Sequence, residues 1–175
     1  MVAPIRSILF ATNLSEECRP ALETAVALAT QHKADLVLFY VIPADTPDYI
    51  ENELQFLLGK EKWEEIKKEQ EKDVEQTLTG KMSSGGLGKK VLQQYCTDAG
   101  IDMGSCDFNW RYVIIADKVR PEAILSQANE QGCDLVVLGS GKAFLSGNAV
   151  GSTIKTVLRK SKIPVLVVPY AVEEY

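Results

Sequence analysis

The sequence is poor in nitrogen and sulfur metal ligands. It holds one histidine, His32, and four cysteines, Cys18, Cys96, Cys106 and Cys133, none of them in a C-x-x-C pair. A His-based metal cluster is therefore excluded, and a mixed site would have to draw on widely scattered cysteines. The same cysteines read as reduced thiols of a cytoplasmic protein, since a chain of this size needs no disulfide staples. Long hydrophobic runs are also missing: the longest, Leu36 to Ala44, falls far short of the ~20 residues that span a bilayer, and Met1 to Arg6 shows neither a basic nor an apolar leader pattern. No membrane partner is expected. Positive charge is in deficit, with 19 Lys and Arg against 24 Asp and Glu and a net charge of -5, which argues against nucleic acid as a partner.

What is present is an ordinary globular composition, 46% hydrophobic and 25% charged over 175 residues, which fits one domain spanning 1–175. Ile5 to Ala11 and Leu36 to Ile42 are short apolar runs of the kind buried on both faces of a parallel sheet. Between them, Cys18, Leu22, Ala25, Val26 and Ala29 recur at helical spacing, with Ser15 as the expected N-cap and His32 near the helix end. Later segments repeat the arrangement. Trp110 to Ala116 reads as a strand, Pro121 to Gln131 as a helix stopped by Gly132, and Asp134 to Leu138 as a strand; a helix opening at Gly151-Ser152 and a final strand, Ile163 to Val168, follow. The alternation predicts an α/β fold, a parallel sheet with helices on both sides. Residues 43–105 lack a strand pattern and read as a variable helical segment. In it Gly59 is a breaker, Lys60 to Glu75 a solvated helix, Ser83 to Gly88 a linker, and Lys89 to Asp98 a helix closed by Gly100.

Chemistry concentrates in Gly139 to Ser152, G-S-G-K-A-F-L-S-G-N-A-V-G-S, between a buried strand and a helix. Glycines there let backbone N–H groups approach phosphate, and a helix N-terminus adds partial positive charge. Two familiar phosphate loops do not fit. A Walker A motif would need glycine at Val136 and a hydroxyl at Ala143, and a Rossmann G-x-G-x-x-G would need glycine at Phe144. No G-x-S-x-G occurs, no nucleophile has a base beside it in sequence, and the acids are too scattered to single out a pair; no catalytic residue is assigned.

The stretch I-L-F-A-T-N-L-S-E-E-C-R-P-A-L-E-T-A-V-A-L-A, the run A-D-L-V-L-F-Y-V-I, and Pro121 to Leu125 through C-D-L-V-V-L-G-S to I-P-V-L-V-V-P together resemble the universal stress protein family. The resemblance implies a Rossmann-like three-layer α/β/α sandwich with a five-stranded parallel sheet in the order 3-2-1-4-5. It also implies a homodimer formed through the last strand. Nucleotide-binding members carry G-x-x-G, nine residues, then G-[ST]; this chain has Gly139-x-Gly141, nine residues, then Gly151-Ser152, one residue short in the first turn. Asn13 stands where the family usually places an aspartate, which removes a charge that would help hold a divalent ion. Val119 stands where a glycine is common.

By that resemblance the site would comprise Thr12, Asn13, Val41, Gly139, Ser140, Gly141, Lys142, Gly151, Ser152 and Thr153. The backbone near Val41 would meet adenine, Asn13 the ribose, and Gly141, Gly151 and Ser152 the phosphates of ATP or AMP, with or without Mg. The expected function is a stress-response protein that binds an adenine nucleotide as a regulatory ligand. A slow ATP hydrolase or phosphotransferase using Lys142, and a nucleotide-free dimerisation protein, are the alternatives. One consequence needs no structure: denatured, unreduced protein should titrate with all four thiols, Cys18, Cys96, Cys106 and Cys133, toward Ellman's reagent. A count of two or none would place the chain in an oxidising compartment.

Overall fold

The computed structural model describes residues 2–43, 52, 55–56, 58–69, 86–117, 119–141 and 151–170. Five strands, β1 (Ser7–Thr12), β2 (Asp35–Pro43), β3 (Trp110–Asp117), β4 (Leu135–Ser140) and β5 (Val165–Pro169), form one sheet. All neighbours pair in parallel, in the order β3-β2-β1-β4-β5. The helices are α1 (Arg19–His32), α2 (Lys60–Glu69), α3 (Gly86–Asp98), α4 (Arg120–Glu130) and α5 (Ser152–Lys160).

Alternate residues of each inner strand feed two cores. Ile8, Phe10, Leu36, Leu38, Leu135 and Val137 pack with Leu22, Ala25 and Ala29 of α1, Trp63 of α2 and Val91, Leu92, Tyr95 and Cys96 of α3. Leu9, Val37, Phe39, Val113, Val136 and Leu138 face the other way, onto Ala123, Ile124 and Ala128 of α4 and Val157 of α5. The period of two along a pleated strand separates the sets. Because helices cover both faces, neither set is polar, and that is why the strands read as continuous apolar runs. The sides also obey the right-handed crossover rule. Connections that run from β1 toward β3 lie on one face, and those that run from β3 through β4 to β5 lie on the other.

Helix boundaries depart from the sequence reading at two places. Ser15 does not cap α1: a 3-10 turn, Glu16–Cys18, intervenes, Cys18 is the N-cap, and the Ser15 Oγ donates instead to Asn13 Oδ1 at 2.6 Å. Pro20 explains the shift, since proline is tolerated only in a helix's first turn, so the helix starts at Arg19. Gly86 to Gly88, read as part of a linker, form the opening of α3, where the unpaired N–H groups of a first turn make the low propensity of glycine cheap. Residues 83–85 of that linker lie outside the described residues, as do residues 70–75 of the charged helix. The expected stops hold. Gly59 at φ 81 precedes α2, and Gly132 at φ 63 follows α4, a conformation that a side chain would strain.

All four cysteines are free. No described helix is long and apolar enough to cross a membrane.

Two layers approach closely at Gly139, near the end of β4. A Cβ there would stand 3.1 Å from the Cys18 Cα and 3.2 Å from its Sγ, so the start of α1 rests directly on the glycine backbone. Gly139→Ala should cost about 1–3 kcal/mol, as overpacking against backbone does, and lower Tm by several degrees. Gly151→Ala, whose Cβ would meet nothing within 4 Å, is the matched control and should leave Tm unchanged. Equal melting of the two variants would refute this packing role.

Candidate functional site

A parallel sheet exposes a crevice beyond the carboxyl ends of its strands where the order reverses. Here the reversal lies between β1 and β4, which pair from Ile8 with Leu135 to Ala11 with Leu138. A cavity of about 300 Å³ opens there, at the small end of the range for ligand pockets. Its floor is Ala11, Thr12, Val41, Leu138 and Gly139 from three strand ends; Asn13 and Cys18 come from the loop after β1, Arg120 and Ile124 from α4, and Gly151 to Ile154 from the start of α5.

Of the residues expected from the sequence, Thr12, Asn13, Val41, Gly139, Gly151, Ser152 and Thr153 are brought together on its wall. Ser140 is not among them: it is fully buried and its Oγ lies 3.4 Å from the Val168 carbonyl, turned toward β5. Gly141 also stays off the wall, and the space above it is taken by Glu17, whose Oε2 lies 2.7 Å from where a Cβ would stand. Lys142 lies outside the described residues. Sequence reasoning missed Ala11, Cys18, Arg120, Ile124, Leu138 and Ile154 as lining residues. Five of these carried only the signature of apolar core positions, and Arg120 had no signal beyond standing in front of Pro121.

The loop that carries Asn13 is locked from within. The Thr12 Oγ1 accepts from the Leu14 N–H at 2.9 Å, and the Asn13 Oδ1 accepts from the Ser15 N–H at 3.0 Å, the Ser15 hydroxyl at 2.6 Å and the Cys18 thiol at 3.1 Å. Such side-chain-to-backbone turns are a habit of Asn and Thr, and they hold Leu14 in the left-handed region at φ 61. The Asn13 acceptor is consumed by the loop, which leaves its amide N–H₂ as the group available to a ligand. From the layer beneath, the Tyr95 hydroxyl donates to the Ser15 carbonyl at 2.9 Å and ties the loop to α3. Burial pushes the Tyr95 phenol well above its ordinary range, so the donor is retained at any physiological pH. The neighbouring Cys96 thiol is pushed up to about 12 by the same desolvation and is inert.

The opposite wall supplies donors. Gly151 is the N-cap of α5, in an extended conformation at φ -53 and ψ 149, with no side chain closing the helix end. The first intrahelical bond runs from the Lys155 N–H to the Gly151 carbonyl at 3.0 Å, so the N–H groups of Ser152, Thr153 and Ile154 have no intrahelical acceptor. With the helix dipole behind them they form an anion-binding end. Val41, Ile124, Leu138 and Ile154 make the rest of the cavity apolar. Backbone donors beside apolar side chains in one cavity suit a ligand with an anionic group and an apolar body.

The described residues agree with known proteins over almost their whole extent. The model of the Universal stress protein family matches residues 4–103 and 111–169. Universal stress protein MJ0577 of Methanocaldococcus jannaschii is 27% identical over 165 residues, covering 93% of this chain and 94% of its own. Its solved structure superposes with a TM-score of 0.57 over 98% of this chain and all of that one, at 24% identity. Two more distant structures share the fold: a universal stress protein in complex with cAMP has a TM-score of 0.55 at 18% identity, covering 97% and 100% of the two chains. The universal stress protein from Archaeoglobus fulgidus in complex with dAMP has a TM-score of 0.51 at 13% identity, covering 94% and 98%. The sheet order, the crevice at its switch point and the match over both halves of the chain lead to one conclusion: this protein belongs to the universal stress protein family.

Proposed function

We propose that this protein binds an adenine nucleotide, ATP or AMP, as a regulatory ligand in a stress response, and does so as a homodimer. The observation that carries the reading is the convergence of the uncapped N-terminus of α5 with an apolar slot in one cavity at the switch point. That the fold holds cAMP in one relative and dAMP in another supports an adenine nucleotide as the class of ligand. Adenine lies against Val41, the Asn13 amide reaches the ribose, and the phosphates meet the N–H groups after Gly151.

The experiment is calorimetric titration with ATP and AMP of the wild type and two variants. Gly151→Val should leave the fold intact, since a Cβ meets open space there, but should block phosphate approach. The loss of two or three charge-assisted bonds at ~1.5–3 kcal/mol each weakens binding by two orders of magnitude or more. Lys142→Ala removes a side-chain charge expected to be worth ~0–1 kcal/mol, less than tenfold. If Lys142→Ala proves the more damaging, the phosphate-clamp reading of a hydrolase replaces this one; if wild-type protein takes up neither nucleotide, the nucleotide-free reading does.

The dimer follows from an open edge. Residues Val165 to Val168 are half-buried, β5 pairs only with β4 among the described residues, and its outer N–H and C=O groups form a template for another strand. Antiparallel pairing with the same strand of a second copy completes the sheet. Val167→Lys should shift the mass in light scattering from dimer toward monomer, with Val165→Lys as the alternative if the register differs. A wild-type protein that is monomeric at micromolar concentration would end this part of the proposal.

A further inference from the structure

A divalent ion has poor support at this site. The strand-end residue that would hold it is an amide, and the Asn13 Oδ1 already accepts from three donors at 3.0, 2.6 and 3.1 Å. Mg²⁺ demands octahedral oxygen ligation, normally with at least one carboxylate. Glu17 is the carboxylate nearest the glycine turn, beside Gly141 and off the cavity wall. Glu16 faces Arg19 at 3.9 Å. No group of three or more His, Cys, Asp or Glu side chains among the described residues could hold a metal ion. The described residues do not fit Mg.

A phosphate still brings negative charge into the cavity, and that charge has to be met. Arg120 is the one charged side chain among the described lining residues. It is exposed, sits in the first turn of α4, and forms no ion pair with the described residues. The acid nearest to it in sequence, Glu122, is drawn away by Lys160, whose Nζ lies 2.9 Å from Glu122 Oε1. That contact holds the Glu122 carboxyl below its usual range and leaves it ionised on the lysine rather than on Arg120. The N-termini of α4 and α5 thus border the same cavity, one with free N–H groups and the other with an uncommitted guanidinium. A guanidinium meets phosphate oxygens in a bidentate fork without any metal.

We propose that Arg120 takes the place of a divalent ion at this site, pairing with the nucleotide phosphate so that binding is independent of metal. The inference rests on the nucleotide reading above and adds to it the identity of the counter-charge. The test is titration of the full chain with ATP, AMP and the uncharged reference adenosine, in Mg²⁺ and in EDTA, for the wild type, Arg120→Gln and Arg120→Lys. ATP and AMP should keep their affinity in EDTA to within about twofold. Arg120→Gln should weaken both by about tenfold, the worth of one charge-assisted contact, while leaving adenosine unchanged; Arg120→Lys should recover part of the loss. A tenfold loss on chelation, or an Arg120→Gln effect that is absent or equal for adenosine and nucleotides, overturns the proposal while the nucleotide reading stands. Failure of all three ligands to bind the wild type overturns both.

Discussion

The structure depends on β1 being buried in the middle of its sheet with both faces covered. Ile8 and Phe10 go to one core and Leu9 to the other, and none of the three is exposed to solvent. At ~1.5–3 kcal/mol for each large apolar side chain buried, exposing these three alone would cost an amount comparable with a domain's whole net stability. A central β1 also dictates the connections. The chain leaves it first toward β2 and later returns to its other side as β4, and right-handed crossovers then place α1 and α5 on opposite faces. The gap left where those paths diverge is the cavity.

Residues at that gap serve packing and site geometry at once. Gly139 looks like part of a phosphate loop, yet its measurable duty is to let Cys18 and α1 rest on β4. The same close approach puts the Cys18 thiol within 3.1 Å of Asn13 and helps fix the loop that borders the pocket. Tyr95 extends this coupling to α3, in the segment of the chain that varies in character most from the rest. Through that one phenol α3 supports the loop that borders the pocket, although Tyr95 does not line the pocket itself.

The division of labour at the cavity is electrostatic as well as steric. Apolar side chains such as Val41, Ile124 and Leu138 take no part in charge, while the starts of α4 and α5 bring helix ends, where backbone dipoles accumulate. Asn13 brings no fixed negative charge to this setting, and its one side-chain oxygen serves the loop, where it accepts three hydrogen bonds. A carboxylate so engaged would oppose an incoming phosphate unless a cation stood between them. The amide needs none.

Much of this was legible in the chain itself. Strand positions follow from apolar runs such as Leu36 to Ile42, and helix ends from Gly132 and Pro121, because burial on both faces and backbone sterics are local demands that leave local marks. The resemblance to a family supplied the strand order, which periodicity cannot. Long-range proximity left no mark: nothing in the sequence told Gly139 on the cavity wall from Ser140 turned to β5, or separated Gly141 beside Glu17 from Gly151 in open space. Nor did it show that Arg120, far from every glycine in sequence, borders the same pocket. The sequence by itself determined the elements and their order along the chain, since these obey nearest-neighbour chemistry. Which side chains face one another across the crevice was decided only by the tertiary packing of α1, α4 and α5 on the sheet, because a contact between distant residues depends on the path of all the chain between them.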